Sequence, residues 1–252
     1  MSHHPILEVK NLSHVFPNGT MGVHHVNLQV YKGEFIIIAG ANGSGKTALI
    51  RHLNGLLKPT TGDVLMAGIS ISSNLIEARK KIGLIFQDSD SQFVGQTVYE
   101  EVAFGPENLN LPQAEVAQIV DEVLEVVRLS AVANQSPHTL SGGQKRKLAV
   151  AGVLAMKPEI IMFDEPFTGL DYPGVVQVLQ QLVALHQAGS TIILVTHELE
   201  KVLAHANRLI VMNQGQLVAD GRPEDVIKTV EKHAVRMPLQ QGERIESLTW
   251  LK

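Results

Sequence analysis

The run Gly40-Ala41-Asn42-Gly43-Ser44-Gly45-Lys46-Thr47 fits the phosphate-loop spacing G-x-x-x-x-G-K-[S/T]. Glycines at these places let the backbone turn its N–H groups inward around a β-phosphate. Lys46 supplies a cation to β and γ oxygens, and Thr47 offers a hydroxyl to Mg²⁺ at the positive end of a helix. A second run, Ile160-Ile161-Met162-Phe163-Asp164-Glu165, is apolar and ends in two acids. At the carboxyl edge of an open sheet, Asp164 suits the Mg²⁺ shell, and Glu165 suits the orientation or deprotonation of an attacking water. A third string, Leu140-Ser141-Gly142-Gly143-Gln144, opens an apparent helix over residues 145–154, so its amides can face an anion without obstruction by side chains. A plain helix cap is the structural alternative for this string, and an acidic turn is the alternative for Asp164 and Glu165.

These groups need a rigid frame. Ile6 to Val9 and the alternating segment Val23 to Val30 read as strands joined by the turn Pro17-Asn18-Gly19. Phe35-Ile36-Ile37-Ile38 has no alternation, which suits a strand covered on both faces, and it leads through glycines into a helix over residues 46–53. Similar buried runs recur at Ile82 to Phe86, Ile160 to Phe163 and Thr191 to Val195 with helical patterns between them, so a parallel sheet flanked by helices is expected. Val116, Ile119, Val120, Val123 and Val127 recur at helical spacing after Pro112, within a helical insert over about 93–153. A final hairpin is expected around Gln214-Gly215, followed by a polar tail with a late apolar cluster, Ile245, Leu248, Trp250 and Leu251.

Composition narrows the function classes. The chain has 252 residues, 44% hydrophobic and 18% charged, enough for a sizeable core in one large domain. A net charge of −4 argues against nucleic acid as the main partner, because duplex binding needs a basic face. With no cysteine, neither disulfides nor thiolate chemistry is available. No apolar run approaches the roughly 18 to 20 residues of a membrane-spanning helix, and Met1 to Lys10 lacks a signal-peptide pattern, so a cytosolic chain is expected.

Leu140 to Gln144 resembles the signature of ATP-binding cassette proteins, in the expected order between phosphate loop and Asp164. The resemblance covers about residues 5–225. It implies an α/β fold of the P-loop NTPase, ABC ATPase type: a mostly parallel core sheet, an N-terminal antiparallel β subdomain and the inserted helical subdomain, in a domain of 1–225 with a short extension over 226–252. ATP and Mg²⁺ are the implied ligands. By the same resemblance Gln87 senses Mg²⁺ and the membrane partner, Gly169-Leu170-Asp171 is the loop through which subunits communicate, His197 contacts the γ-phosphate, and Phe16 stacks on adenine. The implied nucleotide site thus draws on Phe16, Gly40, Asn42, Gly43, Ser44, Gly45, Lys46, Thr47, Ala48, Ser141, Gly142, Gly143, Gln144 and Asp171. Lys46, Gln87, Glu165 and His197 carry catalysis, and Thr47, Gln87 and Asp164 face the metal. Two departures stand out: Ala48 replaces a common hydroxyl residue, and Phe167 replaces a usual small one. In this family each ATP is closed between the phosphate loop of one subunit and the signature of another, so a second cassette is implied, as a homodimer or with a related chain.

Gly83-Leu84-Ile85-Phe86-Gln87, Gln92 and the segment Thr97 to Pro106 resemble the coupling region of energy-coupling-factor importers, including cobalt and nickel uptake ATPases. That resemblance implies a transmembrane coupling protein docked by helix-in-groove contacts, a separate substrate-binding membrane subunit, and a place at the cytoplasmic face of the membrane. Asp88-Ser89-Asp90-Ser91 departs from the usual pattern. The eleven histidines do not read as a metal site, because His3-His4 lie near an end and His24-His25 are expected on opposite faces of a strand. The competing class is a clamp of DNA repair or translation. Such proteins carry a long coiled coil or two cassettes per chain, and neither is visible here.

Overall fold

The computed structural model describes residues 4–86, 93–240 and 243–251. Gln87, singled out above, lies outside the described residues, as do Asp88 to Gln92.

Two sheets organise the chain. Strands β1 (Leu7–Val15), β2 (Met21–Val30), β4 (Thr61–Met66) and β5 (Ile69–Ser70) form an antiparallel sheet in the order β2-β1-β4-β5. The second sheet runs β10 (Gln216–Gly221), β9 (Arg208–Asn213), β3 (Phe35–Ala39), β8 (Thr191–Val195), β7 (Ile160–Asp164), β6 (Ile82–Ile85). All its neighbours pair in parallel except β10, which returns antiparallel to β9 at the edge.

The unbroken apolar runs have a direct physical reading. Phe35, Ile37 and Ala39 enter a core that also holds Val175, Leu179 and Leu182 of helix α6 (Tyr172–Gln187), whereas Ile36 and Ile38 enter a core holding Leu49, Ile50 and Leu53 of helix α1 (Lys46–Leu53). Strands β7, β8 and β9 divide their side chains between the same two cores. With both faces covered, each of these isoleucines contributes about 1.5–3 kcal/mol of burial. Truncation such as Ile37→Ala would cost about 2–5 kcal/mol.

A third core belongs to the helical block: α3 (Val98–Asn108), α4 (Gln113–Val126) and α5 (Gly142–Leu154). Helix α5 is the wedge between this block and the sheet. Leu148 and Ala151 face the helical core while Ala149 and Val150 face the sheet core, which is why its sequence shows no single apolar stripe. The described tail, 226–240 and 243–251, packs on its own chain: Val226, Ile227, Val230, Val235 and Ile245 are buried in the sheet core. Among the described residues no helix is long and apolar enough to cross a membrane.

Two segments differ from the sequence expectation. Strand β1 runs on from Val9 to Val15, with register shifts against β2 between Val9 and Leu12 and beyond. At the opposite strand His25 adopts φ 49°, and this irregularity brings the His24 and His25 rings to 4.4 Å between centroids rather than onto opposite faces. Their Nδ1 atoms are engaged separately, His24 with Gln216 Nε2 at 3.1 Å and His25 with Asn11 Oδ1 at 2.7 Å.

Candidate functional site

The loop 40–45 bends where two of its glycines leave no room for a side chain and two, Gly43 and Gly45, take a left-handed backbone. A Cβ on Gly40 would lie 2.5 Å from the Met212 carbonyl oxygen, and one on Gly45, at φ 103°, would lie 2.5 Å from that of Gly22. Gly43 also has positive φ, 78°. The turn between β9 and β10 holds the loop from outside, since Gly215 N–H donates to Ser44 O at 2.9 Å and His24 N–H donates to Gly215 O at 2.8 Å. Glycine spacing in the sequence thus reports close backbone approach, and the loop is fixed by β2, β9 and the turn at Gly215.

From this loop Lys46 donates through Nζ to Gly40 O at 2.8 Å and Ala41 O at 3.1 Å. Burial pushes its pKa down, against the opposing pull of Glu165 and Asp164. Thr47 Oγ1 donates to Asp164 Oδ1 at 3.1 Å. Asp164 is 4% exposed, and burial raises its pKa above the usual carboxylate value, with the Thr47 hydrogen bond, Arg51 and Lys46 pulling the other way and Glu165 adding to the rise. Phosphate loop and strand end, 117 residues apart in sequence, therefore share one hydroxyl-carboxylate contact.

Glu165 follows Asp164 with φ 49°, a left-handed conformation that costs a non-glycine residue roughly 1–2 kcal/mol. Its N–H donates to Val195 O at 2.9 Å, which ties this residue to the end of β8. Oε1 accepts from His197 Nδ1 at 3.0 Å, while Oε2 is buried without a hydrogen-bond partner among the described residues. A cleft of about 350 Å³ joins these groups: Phe16, Thr20, Met21 and Gly22 on one side, Asn42 to Ala48 and Glu165 on the other. Half-buried Phe16 meets the His14 ring edge-on at 4.7 Å.

The signature string is elsewhere. Ser141 caps α5, its Oγ accepting from Gln144 N–H at 3.4 Å while Gln144 Oε1 accepts from Ser141 N–H at 2.9 Å. Ser141 and Gly142 are exposed, and a Cβ on Gly142 or Gly143 would meet nothing within 4 Å. None of Ser141, Gly142, Gly143 and Gln144 lines the cleft that holds Lys46. Asp171 caps α6, its Oδ1 accepting from Gly174 N–H at 3.0 Å, and it too lies outside that cleft.

Three features were not read from the sequence. Thr20, Met21 and Gly22 line the cleft because the antiparallel pairing of Val15 with Met21 folds them back beside Phe16, and the turn at Pro17-Asn18-Gly19 was the available signal. Arg51, one turn beyond Thr47 on α1, shares a wider groove of about 990 Å³ with Thr47 and Asp164, and its helical spacing from Thr47 was visible. Arg146, 6% exposed, donates through Nη2 to Thr168 O at 3.3 Å and so ties α5 to the loop after Glu165, a long-range contact with no local signature.

Comparison with known proteins gives the family and the fold. The family model described as ABC transporter matches residues 23–168. An energy-coupling factor transporter ATP-binding protein EcfA of Methanocaldococcus jannaschii is 43% identical over 239 residues, 92% of this chain and 86% of that protein. Its counterpart in Methanothermobacter thermautotrophicus is 41% identical over 239 residues, 92% of this chain and 77% of its own length. Among solved structures, cbiO1 of Clostridium perfringens, part of the ABC transporter complex cbiONQ, superposes with a TM-score of 0.81 at 34% identity, covering 93% of this chain and 96% of that one. An ATP-binding cassette solved as a dimer in a post-hydrolysis state with ADP and phosphate gives 0.77 at 29% identity, covering 86% of this chain and 98% of that one.

Proposed function

The chain belongs to the ABC transporter family as its ATP-binding, ATP-hydrolysing kind of subunit, and on that premise we propose that it closes on ATP with a second cassette to drive an energy-coupling-factor type importer. The single observation that carries the two-cassette reading is that the Ser141 to Gln144 turn, exposed at Ser141 and Gly142, opens helix α5 outside the cleft that holds Lys46. One chain has half of each phosphate cage. A two-fold pair, of identical chains or of this chain with a related one, supplies both halves twice.

Within the cleft we assign ATP binding to the 40–48 loop, with Lys46 on the β and γ oxygens and Phe16 under the adenine, where an aromatic face accepts any base. Thr47 Oγ1 and Asp164 Oδ1, 3.1 Å apart, are hard oxygen donors of the type that suits Mg²⁺, so these two residues would hold it. Bound there, Mg²⁺ would neutralise charge on the phosphate oxygens. Glu165 takes the water: its buried Oε2 is a free acceptor beside the phosphate loop, and the left-handed backbone fixes its direction. His197 holds Oε1 and presents the rest of its half-exposed ring toward the γ-phosphate. Asp171, capping α6 next to the Glu165 loop, faces the second cassette.

The groove lined by Leu84, Phe86, Phe93, Phe104 and Gly105 is our candidate seat for a coupling helix of a membrane protein, since Phe104 is 50% exposed at its rim. This reading places the chain peripherally at the cytoplasmic face, with residues 1–225 as ATPase domain and 226–252 as an extension. A metal ion or vitamin would be bound by a separate membrane subunit. Gentle purification from membranes tests it: small hydrophobic proteins travelling with the chain support the importer, and ribosomes or DNA in their place overturn it.

A further inference from the structure

Trp250 is the only tryptophan of the chain, and the tail brings it against Tyr172, which follows the Glu165 loop, and Lys201, which follows His197. Its ring stacks on Tyr172, with centroids 5.4 Å apart and planes 30° from parallel. Tyr172 opens α6 directly after Asp171. On the other side the Lys201 ammonium lies 5.7 Å from the Trp250 ring centroid and 5.8 Å from that of Phe167, within the range of cation-π attraction. Phe167, 1% exposed, sits in the loop leading from Glu165 to Asp171. Lys201 is itself 9% exposed and ion-paired with Glu198, the neighbour of His197. Thr249 Oγ1, 3.2 Å from His205 Nε2, fastens the same stretch of tail to the segment that follows His197.

A buried ammonium must be neutralised, and here one carboxylate and two aromatic faces share that task. Each of those partners comes from a different part of the chain: Glu198 from the His197 loop, Phe167 from the Glu165 loop and Trp250 from the tail. We infer that Trp250 is a positioning residue for ATP hydrolysis, holding the loop after Glu165, through Tyr172, in fixed register with the loop after His197, through Lys201. The inference rests on the ATPase reading and on the roles given to Glu165 and His197. Nucleotide affinity is a separate matter, because no described residue of the tail lines the cleft with Lys46. Loosening this register moves the base and the histidine apart while leaving the phosphate loop intact, so turnover falls and binding does not.

The test uses the purified full chain as wild type, Trp250→Leu and Trp250→Phe, with steady-state ATPase and direct ATP binding. Leucine keeps an apolar side chain over the core but removes the aromatic face, and phenylalanine keeps a face for Tyr172 and Lys201. Trp250→Leu is expected to lower kcat about fivefold with less than about twofold change in KM, and Trp250→Phe to restore at least about half the wild-type rate. Wild-type turnover in Trp250→Leu overturns the inference, as does Trp250→Phe as slow as Trp250→Leu, or a raised KM at unchanged kcat. Should Trp250→Leu not fold, the lone tryptophan serves as its own probe: in Glu165→Gln its emission should shift on adding ATP and Mg²⁺, and an emission blind to ATP overturns the coupling. A wild-type chain that binds no ATP and hydrolyses none is a different result, which removes the ATPase reading itself and this inference with it.

Discussion

His197 Nδ1 stands 3.0 Å from Glu165 Oε1, leaving the other carboxylate oxygen of Glu165 buried and without a hydrogen-bond partner among the described residues. A carboxylate only accepts, so the ring donates through Nδ1 and the pair is oriented from the histidine side. Oε2 is then an unused acceptor on a residue that lines the cleft beside the phosphate loop.

Replacing that acceptor by an amide separates binding from chemistry. Glu165→Gln should retain ATP binding, lower turnover by about 10² to 10⁴, and accumulate a closed dimer. Turnover measured beside size-exclusion chromatography in ATP checks it. A rate equal to wild type would remove Glu165 from its role.

Gly142 tests the exposed signature turn. Because a Cβ there meets nothing within 4 Å and the position opens α5, Gly142→Asp should leave the isolated chain as stable as wild type or up to about 1 kcal/mol more stable, the carboxylate favouring the helix N-terminus. The same charge would face the γ-phosphate of a partner's ATP, so turnover and ATP-driven dimerisation should be lost while ATP binding to the monomer persists. A melting curve, an ATPase assay and a binding isotherm together decide it. Lost binding in the monomer would place the turn in the cleft of its own chain.

His52 sets a pH dependence of stability. It is fully buried on α1, against His14 with ring centroids 4.7 Å apart, and burial, reinforced by His14, lowers its pKa from 6.5 to about 4. Between those values the unfolded chain binds more protons than the folded one, so stability falls as pH falls from about 6.5 to about 4, by at most about 3 kcal/mol. His52→Gln should show a shallower loss over that window. Asp164, whose raised pKa acts with the opposite sign, is common to both chains and cancels in the difference. Denaturant midpoints at pH 7 and pH 4.5 measure it, and identical slopes for both chains would contradict it.

What the sequence made legible was whatever depends on local pattern. The apolar runs Phe35 to Ile38, Ile160 to Phe163 and Thr191 to Val195 announced strands buried on two faces, and α1 begins and ends where the glycines and Leu53 place it. Strands β4 and β5 were not read, since Thr61 to Met66 begins with exposed residues and is a strand chiefly because β1 offers it an edge. The His24 and His25 rings escaped the period-two rule because a positive φ at His25 breaks the alternation. In the candidate site, the sequence offered residues but not their distribution: the contact of Thr47 with Asp164 and the location of Ser141 outside the cleft are products of the sheet order.

In the proposed function each ATP is enclosed by the phosphate loop of one molecule and the signature turn of another. Two inactive chains can test it when mixed: Lys46→Ala lacks a working phosphate loop, and Gly142→Asp lacks a working signature. Paired with each other, they form one cage from the intact loop of the second and the intact signature of the first. Equal mixing should therefore restore ATPase activity to about a quarter of wild type if sites turn over independently, because half the pairs are mixed and each has one competent site. A mixture as inactive as either chain alone would contradict the shared cage.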